Sequence, residues 1–325
     1  MSGSVAVPED QLSLTDRASL ERLAGALVKG ECVLFIGAGA SKDPAQPDFP
    51  DGAKLSKELA AKCELEWYDT IPLTTTAFFY ESFFSRQGLN EHLQWRLNGE
   101  GLKPSSTITS MVELVTLLEK RNRPVFVMTT NFDRMFEVAY EARMGHEPHV
   151  IKYRGAEDPN KVEIKLHAGY EIDDPEYWHP LEQGTYLYKM HGCISDAKDD
   201  ENRIVVTEED YVNFLGNALS DHPNKKLLNE ARGQFALRTM LFVGYSLMDW
   251  NFRVIFKATA ERSRQRTHYA VQYFVPSDDA KKAKLEQERW QKTREFWGRK
   301  KVEIINHDAS GFMQHLITQV RNLIG

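Results

Sequence analysis

Short unbroken apolar runs, each ended by glycine or by small polar residues, constrain the fold of this chain more than any other feature. Cys32-Val33-Leu34-Phe35-Ile36 runs into Gly37-Ala38-Gly39-Ala40-Ser41, and Val125-Phe126-Val127-Met128 into Thr129-Thr130-Asn131-Phe132-Asp133. Tyr186-Leu187-Tyr188-Lys189-Met190 precedes His191-Gly192, and Met240-Leu241-Phe242-Val243 precedes Gly244-Tyr245-Ser246. A continuous run, unlike an alternating one, suits a strand buried on both faces, as in a parallel sheet covered by helices. In such sheets ligands lie beyond the carboxyl ends of the strands. That is where these four motifs would fall.

Between the runs the spacing predicts helices. Asp16 could cap one over 17–29, with Leu20, Leu23, Leu27 and Val28 on one face. Residues 53–64 and 74–97 read as helical. Met111, Leu114, Val115 and Leu118 mark another helix, and one spans 132–143. Residues 42–52 are rich in proline and read as a long loop able to close over a ligand. Residues 145–185 read as connecting structure with a few strands, and 195–203 as an acidic loop. Thr207 can cap a helix through Leu215. Residues 269–275 and 302–305 are further strands, separated by a charged helix over 278–296, and Phe312, Leu316, Val320 and Leu323 mark a terminal helix. The expected fold is α/β. It is a doubly wound Rossmann-like parallel sheet with an inserted smaller helical or irregular subdomain and no zinc module. The whole chain, 1–325, is expected to be one domain. Its core covers about 17–64, 108–144, 186–194 and 236–325, and inserted or connecting regions cover about 65–107 and 145–185.

Composition narrows the function classes. A net charge of -6 gives no sign of general affinity for nucleic acid, and Arg262, Arg264 and Arg266 form only a small basic cluster. The three cysteines, Cys32, Cys63 and Cys193, are dispersed, which argues against a disulfide framework or a four-cysteine zinc site. Residues 1–15 lack the pattern of a signal peptide, and no apolar run approaches the ~20 residues of a membrane helix. The default location is the cytoplasm.

Each motif has a chemical reading and a plainer one. Gly37-Ala38-Gly39 after a strand allows a tight turn and close approach of backbone N–H groups to a phosphate, with Ser41 adding a hydroxyl. It lacks the third glycine of a dinucleotide fingerprint and the Gly-Lys-Ser/Thr of a P-loop. Asn131 or Thr130 could simply cap the next helix, with Asp133 favouring its positive end. His191 ends a strand beside a glycine, and an imidazole of ordinary pKa near ~6.5 is the natural proton acceptor at neutral pH. Gly244 and Ser246, followed by Asp249 and Asn251, could form a turn or hold the far end of a dinucleotide.

Taken in order, Gly-Ala-Gly-Ala-Ser, Thr-Asn-Phe-Asp, His-Gly and Gly-Tyr-Ser resemble the sirtuin superfamily, and more narrowly the bacterial sirtuin-like domains of antiphage defence. The resemblance covers about residues 30–275. It implies an NAD site. Gly37, Ala38, Gly39 and Ser41 would hold the pyrophosphate and nearby ribose. Asn131 would contact the nicotinamide ribose or position a water, and Asp133 the carboxamide. His191 would be the base acting on a ribose hydroxyl. Gly244 and Ser246 would face the adenosine half, and Asp48-Phe49 would match the loop over the nicotinamide.

Deacylating sirtuins carry a four-cysteine zinc module and an acyl-lysine groove. Neither is apparent in this sequence, so the resemblance favours cleavage of NAD+ with water over NAD-dependent deacylation or a non-catalytic nucleotide-binding scaffold. NAD would be the substrate, with no metal required. The resemblance also implies a homo-oligomer and a separate control chain, such as a HerA-type ATPase or another sensor; from the apolar runs, no membrane contact is expected.

Overall fold

The computed structural model describes residues 12–46, 48–65, 71–98, 101–122, 124–153, 162–165, 171–172, 184–196, 204–219, 237–247, 253, 256 and 266–325. The chain opens with helix α1 (Leu14–Val28) and strand β1 (Cys32–Ile36), and a short 3-10 turn, Ala38–Ser41, follows. Then come α2 (Gly52–Lys62), α3 (Leu73–Leu97), α4 (Ser106–Glu119), β2 (Val125–Thr129), α5 (Met135–Met144), β3 (His149–Tyr153), β4 (Val162–Lys165), β5 (Glu171–Ile172) and β6 (Thr185–Lys189). The remaining elements among the described residues are α6 (Glu208–Leu219), β7 (Thr239–Val243), β8 (His268–Gln272), α7 (Ala280–Arg299), β9 (Val302–Asn306) and α8 (Ala309–Ile324).

Among the described residues the strands form one nine-stranded sheet in the order β5-β4-β3-β6-β2-β1-β7-β8-β9. β4 and β5 pair antiparallel, which leaves seven strands parallel. The order reverses at β1, whose neighbours are β2 and β7. This is the topological switch point at which doubly wound sheets open a crevice. The expected parallel α/β sheet is therefore present. The stretch 145–185 supplies three of its strands, β3 joining the parallel ladder against β6.

The apolar runs are continuous because both faces of each strand are buried. Cys32, Leu34 and Ile36 of β1 pack into a core with α1, α4 and α8, whereas Val33 and Phe35 face a second core containing Phe214, Phe242, Phe256 and Trp297. β2 divides in the same way, Val127 to the first core and Phe126 and Met128 to the second. Leu55 and Leu59 of α2, with Leu89, Leu93 and Leu97 of α3, extend the first core.

Three local expectations change. α1 begins at Leu14 because Ser13, not Asp16, is its cap: the Asp16 amide donates to Ser13 Oγ at 3.1 Å, and Ser13 Oγ donates back to the Asp16 carboxylate at 2.6 Å. The helix expected over 74–97 is broken at Ser85, where φ is 71° and ψ is 164°. The helix expected from Phe132 starts at Met135, for a reason that belongs to the site.

His268 makes the fold acid-sensitive. It is buried at the start of β8, and its Nδ1 accepts the Met240 amide of β7 at 3.1 Å, which requires an unprotonated Nδ1. Burial first, and Arg266 second, push its pKa down to about 4. The ordinary value of ~6.5 applies to the unfolded chain. This contribution to stability is therefore complete above pH ~6.5 and is lost as pH falls toward the folded value. Urea unfolding at pH 5 should show a loss of about 2 kcal/mol from this residue relative to pH 7.5. The pH dependence should shrink in His268→Gln. An equal pH dependence in the variant would contradict the assignment.

Candidate active site

The site is built where β1 and β7 end side by side. The Gly37 amide donates to the Val243 carbonyl at 2.9 Å, and the Gly39 amide to the Gly244 carbonyl at 2.8 Å. Gly244 has a φ of +67°, and a Cβ there would land on the Ala40 amide nitrogen. A Cβ on Gly37 would sit 2.5 Å from the Gly244 carbonyl oxygen and 2.6 Å from Tyr245 Cδ2. The glycines thus serve the close approach of the two turns. The Gly37 and Gly39 amides, expected to face a phosphate, are engaged by β7.

On the other side of β1, the turn after β2 is fixed by a chain of hydrogen bonds. Thr129 Oγ1 donates to the Ile36 carbonyl at 3.0 Å and accepts from the Asn131 amide at 2.9 Å. Asn131 Nδ2 donates to the Gly37 carbonyl at 3.2 Å and to Ser41 Oγ at 3.3 Å. Ser41 Oγ donates in turn to Asp133 Oδ2 at 3.1 Å. Because the Gly37 carbonyl only accepts, the orientation of the Asn131 amide is set. Its Oδ1 is left buried with no hydrogen-bond partner among the described residues. Neither Asn131 nor Thr130 caps α5. Asp133 Oδ1 takes the Met135 amide at 2.9 Å, so 131–134 form a turn and the helix starts late.

Below this turn lies Lys189 of β6, 1% exposed. Its ammonium donates to the Asp133 carbonyl and, at 2.9 Å, to Glu137 Oε1. Burial would lower its pKa, but Cys193, Glu137 and Asp133 outweigh burial and hold it above the ordinary lysine value. Burial raises the Asp133 carboxyl above the usual carboxylate range, against the pull of Lys189.

His191, also 1% exposed, follows β6. Its ring meets Tyr211 and Phe214 edge-on at centroid distances of 5.0 and 5.3 Å. Nδ1 lies 3.4 Å from Tyr211 Oη, and Nε2 is buried without a hydrogen-bond partner among the described residues. Burial pushes its pKa down to about 3, although Asp210 and the Thr130 backbone pull upward. The expectation of an imidazole near its ordinary value is thus corrected. The neutral form persists across the physiological range, and the ring is a hydrogen-bonding group and a weak base.

These groups surround a cavity of about 690 Å3. Of the nine predicted site residues, seven line it: Ala38, Gly39, Asn131, Asp133, His191, Gly244 and Ser246. Gly37 and Ser41 stand behind the wall and hold it. Of Asp48-Phe49, Phe49 is buried and faces the cavity, while Asp48 is exposed and pairs with Lys54 at 3.2 Å. The loop around them is pinned. Lys42 pairs with Asp51, Asp43 accepts the Ser106 amide at 2.9 Å, and the Gln46 side chain makes two 2.9 Å bonds with the Lys103 backbone.

Lys42 is the one lysine or arginine among the described lining residues, and the sequence reading missed it. Tyr211 and the buried Lys189 were also missed. The signal for the latter was a lysine inside an apolar strand. Asp249, Asn251, Arg262 and Arg264 lie outside the described residues, as does most of the acidic loop; Arg266 pairs with Glu31 at 3.3 Å. Among the described residues no group of three or more His, Cys, Asp or Glu side chains is arranged to hold a metal ion.

Comparison with known proteins bears on this arrangement. The chain is 27% identical over 272 residues to the NAD(+) hydrolase ThsA of Enterococcus faecium. The alignment covers 80% of this chain and 48% of that protein, so the chain spans about half the length of its curated relative. A solved structure described as "Structural Basis for the Mechanism and Regulation of Sir2 Enzymes" aligns with a TM-score of 0.45 and 15% identity. It covers 94% of this chain and 98% of its own. A family model, the SIR2-like domain, matches residues 125–297, more than half of the chain and the segment carrying the Asn131, His191 and Gly244 motifs; the protein belongs to the SIR2-like domain family.

Proposed function

We propose that the chain hydrolyses NAD+ at the nicotinamide–ribose bond, giving nicotinamide, ADP-ribose and a proton. The observation that carries this reading is the pair of unpartnered buried atoms, Asn131 Oδ1 and His191 Nε2, on residues of one cavity at the carboxyl edge of the sheet. A buried polar atom without a partner is costly, and such atoms are commonly kept for a ligand. The NAD(+) hydrolase named among the relatives supports the same substrate.

In this reading the C1′–N bond breaks first, nicotinamide leaves as a neutral ring, and positive charge develops at C1′ as in other glycosidic cleavages. Asn131 Oδ1 accepts a hydrogen bond from a ribose hydroxyl or from the attacking water. With Nδ1 donating to Tyr211 Oη, His191 Nε2 accepts from a second ribose hydroxyl. Asp133, braced by Ser41 and the Met135 amide, faces the carboxamide, and Phe49 closes over the ring. Gly244 and Ser246 line the adenosine half. Lys42 leaves Asp51 for the diphosphate.

The physiological role that fits is depletion of NAD+ in antiphage defence, in the cytoplasm, with a basal activity that a separate sensor chain, of the HerA ATPase type or another, raises. No helix among the described residues is long and apolar enough to cross a membrane. A homo-oligomer would suit the aromatic strip on α3, where Phe78, Phe83, Phe84 and Trp95 are all exposed.

Purified protein should convert NAD+ to nicotinamide and ADP-ribose, and Asn131→Ala or His191→Ala should each lower turnover by about 10²–10⁴-fold with the fold retained. Turnover only with an acyl-lysine peptide would instead mark deacylation, and near-normal rates in both variants would remove the assignment. Lys42→Met should raise KM for NAD+ by roughly 10–100-fold, the strength of one hydrogen bond to a charged group, with kcat little changed. An unchanged KM would place the diphosphate elsewhere. Sedimentation of Phe83→Ser/Trp95→Ser should show a smaller species than the wild type; identical profiles would move the assembly surface off α3.

A further inference from the structure

Arg86 follows the break in α3 at Ser85, whose φ of 71° is a strained backbone for a residue with a Cβ. The break turns the Arg86 side chain inward, to 5% exposure. Nη1 donates to Asp210 Oδ2 at 2.8 Å and to Glu81 Oε2 at 3.1 Å, and Nη2 donates to the Ile204 carbonyl at 2.6 Å. Asp210 Oδ2 also accepts the amides of Val206 at 3.1 Å and Thr207 at 2.9 Å. One guanidinium therefore ties α3 to the start of α6 and to the segment before it.

That segment and helix hold His191 from two sides. The Val205 amide donates to the His191 carbonyl at 3.0 Å, and Tyr211, next to Asp210, sets its hydroxyl at the ring. Val205, Val206 and Tyr211 all line the cavity, whereas Arg86 does not. We propose that Arg86 is a positioning residue for His191: it fixes residues 204–211 against the imidazole and neutralises the Asp210 carboxylate behind it. The proposal rests on the reading of His191 as a ribose-facing group.

Against the upward push of burial, Arg86 and the two amides hold the Asp210 carboxyl below its usual range. Asp210 in turn pulls the His191 pKa upward. A carboxylate left buried without its cation draws a proton to the nearest base. Tyr211 stands with Asp210 on α6, Glu81 lies beyond Arg86 on α3, and Asp133, Lys42 and Asp51 share the cavity wall. A protonated His191 would turn Nε2 from acceptor to donor and place a positive charge where the reaction develops its own.

The test is an NMR titration of the full chain labelled with 15N-histidine, paired with NAD+ turnover. In the wild type His191 should stay unprotonated from pH 7.5 to 5. In Arg86→Met its midpoint should rise into that range, with kcat down by roughly 10²-fold and KM within about 3-fold. Removing both charges in Arg86→Met/Asp210→Asn should restore the low midpoint and recover kcat at least about 10-fold over the single variant. Arg86→Lys keeps the charge but loses the fork, so it should keep the low midpoint, and it carries the test if Arg86→Met does not fold. An unchanged midpoint in Arg86→Met, a double variant no better than the single one, or a raised midpoint in Arg86→Lys would overturn the proposal. Absence of turnover in the wild type would overturn the hydrolase reading and leave the titration to decide this one.

Discussion

The hydrogen bonds from the Gly37 and Gly39 amides to the Val243 and Gly244 carbonyls join the two halves of the sheet at its reversal point. The rest of the site depends on them. They hold the turn after β1 against the turn after β7 so closely that neither glycine has room for a Cβ. With β1 fixed, its Ile36 and Gly37 carbonyls present acceptors to Thr129 and Asn131 across the crevice. The crevice is thus a product of backbone pairing, and its side chains are added to a rigid frame.

The polar groups buried around that frame differ in where they stand relative to the cavity. Lys189, Glu137, Arg86 and Asp210 are almost wholly buried and hydrogen-bonded, which is the condition under which charges are tolerated inside a protein. Asn131 Oδ1 and His191 Nε2 are buried without partners among the described residues. The charged pairs sit behind the turn and the imidazole; the unpartnered atoms belong to residues that line the cavity. Arg86 Nε and Glu137 Oε2 are also without partners among the described residues, but neither residue lines the cavity; of the cavity-lining residues, Asn131 and His191 carry the unpartnered atoms assigned to the substrate.

Much of this was legible in the sequence. The unbroken apolar runs gave β1, β2, β6 and β7 to within a residue, because strands covered on both faces need apolar side chains at every position. The motifs that end them were placed together because a parallel sheet collects its carboxyl ends on one edge. What stayed hidden depends on tertiary contact. Nothing local marks Ser85 as the break in α3; the Arg86 that follows it is buried and bonded to Asp210 and the Ile204 carbonyl, more than a hundred residues away in sequence. The low pKa of His191 comes from burial beneath Tyr211 and Phe214 of α6, which lie about twenty residues away in sequence. Lys42 was read as part of a loop, although it lies on the cavity wall.

The claim at the centre is that the cavity at the carboxyl ends of β1, β2, β6 and β7 holds NAD with its nicotinamide ribose on Asn131 and His191. The most direct measurement is a crystal structure with a non-cleavable carbocyclic NAD analogue. The account predicts sugar hydroxyls or a bound water within hydrogen-bond distance of Asn131 Oδ1 and His191 Nε2, and the diphosphate beside Lys42. An analogue bound elsewhere, or bound in the cavity with both atoms still unpartnered, would contradict it.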